Sequence, residues 1–523
     1  METAIKYDTG RVAVSQAPCA LPPERIGALE ARWDGGGRMT SLGGLAYFAE
    51  YLKEGGFLDE LLRGSPLRYA SNNAPDPADV MGTLVVSVLD GITRYSGING
   101  LRRDAVCPEL MGFGRMVSED SVRRGLLQSA ARPEEWEAWL RRLQDRATLP
   151  LLSEPYVADM DNTVKTLYGH QEGAEKGYNP ARPGRPSHNY QTWAMGATRL
   201  VLGVGVLPGR RHSGKHGAAL ALDWIRRLPA YLWPSLLRGD VGFGSSWVMD
   251  EAEGLGLRYL FKLARSRRMK RLFRQLCQGG EWLDAGRGWE GLFVPLRLAG
   301  WPRARRCLFL RRPAGTEPAP ENKADRQLLL PTFGEIVEPP EEGRKWDFCV
   351  LATNCADLDA VALSQLYRDR ADCENVFDEL KNHWGWGGFV TRDIARTRLV
   401  ARLTALLYNL WTVFTRLVSP EVHREAETSR PMLLGVLGRV TKSGRKTTIH
   451  LVSNHAAGGR IAAALSSIHA FMRRLNASAG QLDGLKRWTI ILAAAFRHFL
   501  HRKTPHPPLD GDQWLLPLAS AAY

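Results

Sequence analysis

The stretch LYRDRADCENVFDELKNHWGW sets Tyr367, Arg370, Glu374 and Lys381 at the spacing Tyr-x2-Arg-x3-Glu-x6-Lys. On a helix of 3.6 residues per turn this spacing keeps all four on one stripe. A tyrosine, a carboxylate and two cations on a partly buried face are costly unless they bind something or one another. A carboxylate between two cations could form a self-satisfied ladder. That ladder does not explain why two upstream runs also end in acid. YVADMD and PSLLRGD read as buried strands ending at Asp161 and Asp240. Ligands of α/β sheets gather beyond the carboxyl ends of strands, so these side chains could meet there. Asp159, two residues before Asp161, points to the same face of its strand and is a rival for that place.

The elements around these residues follow from hydrophobic period. YQTWAMGATRL and VLGVGVLPG read as strands, AALALDWIRRL and SSWVMDEAEGLG as helices, and LRYLFKLA as a further strand. Strand, strand, strand, helix, strand, helix, strand is an α/β order. The spacing predicts a leader over 1–40 that breaks at Gly35–Gly37, and a helical, DNA-binding region over 41–152. Within it Ser118 is an N-cap, with Val122, Leu126 and Leu127 facing inward and Arg123 and Arg124 outward. This helix could read DNA or be an ordinary amphipathic helix. The α/β core is predicted over 153–264 and 346–418, interrupted over 265–345 by a basic, β-rich insertion with Pro-rich connections (PAGTEPAPE, EPPEEG). The region 419–523 is predicted helical, with loops at Gly458–Arg460 and Asn476–Gly480 and a Pro-rich end, KTPHPPLDGDQW. No internal repeat is visible.

Composition bounds the answer. A chain of 523 residues suggests about three or four domains. Its hydrophobic share of 44% excludes wholesale disorder. Seven cysteines without a C-x-x-C pair exclude a disulfide scaffold and read as reduced thiols of a cytoplasmic protein. The N-terminus has no secretory apolar core, and no long uncharged apolar run occurs. A net charge of +15 suggests a polyanionic partner.

The Tyr-Arg-Glu-Lys spacing resembles the signature of bacterial insertion-sequence transposases of the DDE type. DMDNTVKTLYGHQEGAEKGYNPARPGRPSH (159–188) and RGDVGFGSSWVMDEAEGLGLRYLFKLA (238–264) resemble the two catalytic blocks of one branch, the thirteen-eighty family of insertion sequences. The resemblance spans roughly 150–415. It implies an RNase H-like catalytic core with Asp161, Asp240 and Glu374 as catalytic, metal-binding acids. Asp161 is preferred to Asp159 because the family's acid precedes a small polar residue and Thr, here Asn162-Thr163. It further implies two Mg2+ ions per site, replaceable by Mn2+, about 3.5–4 Å apart. One would activate water or a 3′-hydroxyl and the other would steady the leaving oxygen.

The resemblance also implies DNA-facing roles: Arg370 and Lys381 on phosphates, Tyr367 on terminal nucleotides, and Trp346 stacked on a flipped base. The basic loop YNPARPGRPSH and the clusters Arg265–Arg274 and Arg303–Arg312 add DNA grip, and the DNA-binding candidates include Arg268 and Lys270 of the first cluster and, apart from these segments, Arg210. His212 and His216 are four apart, but in a Gly-rich segment unsuited to holding zinc. The implied activity is cut-and-paste transposition through a hairpin, on the element's terminal inverted repeats and a target duplex. The partners are double-stranded DNA and a second copy in a synaptic homodimer, with the tail from about residue 420 as its contact. The rivals are a nuclease of the same fold and a catalytically silent DNA-binding protein.

Overall fold

The computed structural model describes residues 38–211, 213–315, 345–420 and 422–502, with the backbone of the short strands Glu24–Ile26, Leu29–Ala31 and Ile336–Val337. Gly35–Gly37, Cys19, His212, most of the two Pro-rich connections and the end KTPHPPLDGDQW lie outside the described residues.

The described residues before Val157 are mainly helical: α1 (Leu45–Glu54), α2 (Pro77–Leu89), α3 (Glu119–Ala131) and α4 (Pro133–Thr148) are their main helices. Helix α2 starts cleanly because Asp76 accepts from Ala78 N and Pro77 needs no donor there. It is buried all round, and its one polar stripe, Asp79, Thr83 and Ser87, is satisfied by bonds to Gly114 N, Val117 N and Thr83 O. Ser118 caps α3, with Val122 and Leu126 buried and Arg123 and Arg124 exposed. Leu127, expected inward, is 49% exposed, because it falls beside the buried stripe.

The main strands of the large sheet are β1 (Val157–Thr166), β2 (Pro186–Met195), β3 (Leu200–Pro208), β4 (Leu236–Gly239), β5 (Tyr259–Lys262), β6 (Glu290–Leu296), β7 (Arg305–Pro313) and β8 (Trp346–Thr353). Strands β1, β2 and β3 form an antiparallel meander. Strand β4 joins β1 in parallel and β5 joins β4 in parallel, so each needs a crossover. Helices α5 (Ala218–Arg227) and α6 (Ser246–Gly254) supply these crossovers. Strand β8 then pairs antiparallel with β5, β7 with β8, and β6 with β7.

The region expected to form a basic, β-rich insertion, 265–345, supplies strands that join the same sheet. Strand β7 runs antiparallel along β8 from Arg306 opposite Thr353 to Pro313 opposite Trp346, so the basic strands extend the core sheet. Helix α7 (Arg267–Gly279) belongs to the same region and packs Met269 and Phe273 inward.

Residues 360–418 form α8 (Ala360–Arg368), α9 (Ala371–His383) and α10 (Ile394–Val418). The expected single stripe from Tyr367 to Lys381 is therefore broken: the chain tightens at Asp369–Arg370, where Arg370 N bonds Tyr367 O. Helix α10 is buried along most of its length and seals the outer edge of the sheet. The Asn409 amide accepts from Val201 N at 2.8 Å and donates to Val201 O at 2.7 Å.

The tail is not wholly helical. Strands β9 (Leu437–Ser443) and β10 (Lys446–Val452) form a hairpin, and β9 also pairs with Met39–Thr40. Gly444 turns the hairpin with φ +58°, a conformation glycine adopts without steric cost. The expected loops at Gly458–Arg460 and Asn476–Gly480 are instead the two ends of α11 (Gly458–Ala479), which α12 (Gly484–Arg502) follows. No helix among the described residues is long and apolar enough to cross a membrane.

Candidate active site

Register brings the first two acids together. In the parallel pair β1 and β4, Met160 stands opposite Gly239, and the next residue on each chain is an acid, Asp161 and Asp240. They therefore sit at one level on chains about 4.8 Å apart. Asp240 lies just past its strand, where its carboxylate accepts from Gly242 N at 2.9 Å. Glu374 arrives from the other direction, one turn into α9.

Arg370 links them. Its side chain is 3% exposed, with Nη2 2.9 Å from Asp161 Oδ2 and Nη1 2.5 Å from Glu374 Oε1. Burial alone would lower the guanidinium pKa. The charges of Asp161, Tyr367, Glu374 and Asp240 outweigh it and hold the group well above its ordinary value. Asp161 shows the complementary strain. Burial pushes its carboxyl up to about 7, Asp240 and Glu374 push the same way, and Arg370 and the Asn162 N–H oppose.

The end of β5 adds Lys262, 7% exposed, which was not among the candidates read from the sequence. Burial lowers its ammonium pKa, and Asp240 is among the charges that act on it. The signal was available: LRYLFKLA is a third core strand that ends in a charge.

Asp159 has a different environment. It is 0% exposed and holds Arg238 of the neighbouring strand in a fork, Nε to Oδ1 at 2.5 Å and Nη2 to Oδ2 at 2.8 Å. Alternation puts both aspartates on one face, but only Asp161 stands level with Asp240.

The residues given DNA-facing roles divide sharply. Lys381, Arg210 and Arg268 are exposed and Lys270 is half-buried. Tyr367 is 1% exposed and packs with Leu308, Leu351 and Trp289, so its ring is core in this state. Trp346, at the start of β8, is 7% exposed, and the Arg311 guanidinium lies 4.4 Å from its ring centre. Arg370 is engaged by two acids and presents no open face to a phosphate. The loop YNPARPGRPSH joins β1 to β2 and exposes Tyr178, Arg182 and Arg185. A groove of about 860 Å³ elsewhere is lined by Arg123, His170, Arg392 and Arg396 among others, and by none of the three acids.

The acids offer only oxygen donors, the set a hard divalent cation takes. Asp240 and Glu374 place like charge beside the buried Asp161, so the donor chemistry fits such an ion. Among the described residues no three His, Cys, Asp or Glu side chains form a metal-holding group. Between Asp161 and Glu374 stands the Arg370 guanidinium.

Residues 152–410 match the family model of the transposase DDE domain, a span that contains all three acids and supports a DDE-type transposase. A comparison with curated proteins finds no match. Among solved structures the chain is similar to the cryo-EM structure of a piggyBac transposase synaptic complex with hairpin DNA. Identity is 12%, coverage 91% of this chain and 89% of that chain, and the TM-score 0.35, a likeness too slight to carry an argument.

Proposed function

We propose, from the transposase DDE domain matched over residues 152–410, that the chain moves an insertion sequence by cut-and-paste, cleaving and rejoining DNA at Asp161, Asp240 and Glu374. The observation that carries this reading is the register of β1 against β4, which sets Asp161 and Asp240 level. Glu374 is coupled to Asp161 through one arginine. An antiparallel meander followed by two parallel strands with helical crossovers supports an RNase H-like core. The Tyr-Arg-Glu-Lys residues support the thirteen-eighty branch.

Asp161, Asp240 and Glu374 would hold Mg2+ or Mn2+, which supplies charge stabilisation at the reacting phosphate and a more acidic attacking hydroxyl. The chain's own contribution is positional. The sheet fixes two acids, α9 delivers the third, and Arg370 keeps two of them from repelling each other while the site is empty of DNA. Exposed cations on α7 and the β1–β2 loop bind the duplex backbone. Two copies hold two element ends, with the tail as their contact, and a hairpin intermediate joins the strands at each end.

Strand transfer with Mg2+ and a pre-cleaved duplex bearing the repeats that flank the gene tests this reading. Asp240→Ala and Glu374→Ala are expected to abolish transfer while the fold persists. Transfer at the native rate by either variant would refute the assignment.

A further inference from the structure

A second charged feature lies beyond the acids on the same two elements. A cavity of about 250 Å³ is lined by Arg94, Lys165 and Lys381, with Thr163 and the glycines of Gly385-Trp386-Gly387-Gly388. No acid lines it. None of the three cations makes an ion pair within the described residues. Burial lowers the half-buried Lys165 ammonium, and Arg94 and Lys381 lower it further, so the cavity concentrates positive charge.

The placement is directional. Residues 161, 163 and 165 share one face of β1, which sets Lys165 about 13 Å beyond Asp161 at roughly 3.3 Å per residue. Lys381 lies two turns past Glu374 on α9, about 10 Å along its axis. Strand and helix thus lead from the acids to the same cavity. The distance matches about four nucleotide steps of about 3.4 Å each. Arg94 comes from the helical region before Val157, and the glycines allow it. Gly385 has φ +62°, and a Cβ on Gly388 would sit 1.8 Å from Thr93 O. A Cβ on Gly387 would come within 2.8 Å of the Lys165 side chain.

We propose that Arg94 and Lys165 join Lys381, the lysine to which the resemblance already gives a phosphate, in a single seat for a backbone phosphate of the bound DNA strand, a few nucleotides from the scissile bond. This rests on the transposase reading. The probe is a fluorescein-labelled duplex of arbitrary sequence, bound to the full chain with EDTA present, and the readout is the slope of log affinity against log salt. Losing one phosphate contact flattens that slope by about 0.9. Lys165→Gln is expected to flatten it, and Lys165→Arg to retain it. Gly387→Ala, which crowds the lysine without removing charge, is expected to fall between. Lys53→Gln removes an exposed charge on α1 outside the cavity and is expected to leave the slope unchanged. No flattening by Lys165→Gln, or equal flattening by Lys53→Gln, overturns the seat. Protection against heat unfolding by inorganic phosphate, without a change in duplex slope, overturns it in favour of a free-anion site. EDTA keeps cleavage out of the readout, so these outcomes stand apart from the fate of Asp240→Ala in strand transfer.

Discussion

Helix α7 and strand β7 are both crowded with cations, and they use them in opposite ways. On α7, Arg267, Arg268, Arg271 and Arg274 are exposed and make no ion pair within the described residues, while Met269 and Phe273 anchor the other face. On β7 and just before it, the arginines are bound within the protein. Arg305 reaches Asp250 at 2.5 Å and Glu253 at 3.2 Å, and Arg303 also pairs with Glu253. Arg311 reaches Glu290 at 2.6 Å and Arg312 reaches Asp347 at 3.3 Å. Arg306 lies 3.8 Å from the Phe293 ring centre. A run of like charge in a sequence is therefore not one kind of feature. On a helix one face can carry it into solvent. On a strand inside a sheet each guanidinium must find an acid or an aromatic ring.

The largest expected effect tests the paired side of that contrast. Arg305 is 2% exposed in its side chain, so Arg305→Ala removes a buried guanidinium that bridges Asp250 and Glu253 and leaves Glu253 to Arg303 and the Tyr259 hydroxyl. A loss of about 3 kcal/mol in urea unfolding is expected. A loss below about 0.5 kcal/mol would place β7 with α7 as a solvated surface.

A second paired centre sharpens the point beneath Glu374. Glu379, 1% exposed, accepts from His423 Nε2 at 2.7 Å, Ala426 N at 2.8 Å and Trp384 Nε1 at 3.3 Å. Burial would raise this carboxyl, but those donors and the His423 charge hold it below its ordinary 4.5. Its contribution is thus complete above 4.5 and is lost as pH falls through the folded-state value. Glu379→Gln is expected to cost about 2 kcal/mol at neutral pH. The gap between wild type and variant should narrow on acidification, and a gap that widens would contradict the sign.

The smallest stability effect belongs to the solvated side. Arg268→Ala, Arg271→Ala and Arg274→Ala should each change unfolding free energy by less than about 0.5 kcal/mol. Together they should flatten the salt dependence of duplex binding by up to about 0.9 per contact. Intact salt dependence in the combined variant would remove α7 from the DNA path.

Much of this was legible along the chain. Acids after buried strands, and a helix that repeats its charges at turn spacing, are local patterns. The pairing of β7 was not, because its partners Asp250 and Glu253 lie on α6, far away in sequence. Nor could alternation separate Asp159 from Asp161. It fixes which face a side chain takes, whereas Arg238 on the adjacent strand decides which aspartate is buried. The hairpin of β9 and β10 did leave a trace, in the alternating Thr, Ile and Val after Ser443-Gly444, but the long apolar helices on either side drowned it. The break at Asp369–Arg370 has no such trace: no glycine or proline marks it, and Arg370 turns inward to meet two acids from different elements.

The amide of Asn409 has one more consequence. By occupying both hydrogen-bonding groups of Val201, it leaves the border of the sheet with no vacancy at that point for a foreign strand to join. Gln144 donates to the same Val201 oxygen, so this border is closed twice over, and Asn409→Leu would orphan only the Val201 N–H beneath α10, a cost of about 1–3 kcal/mol in unfolding and not an opening to neighbours.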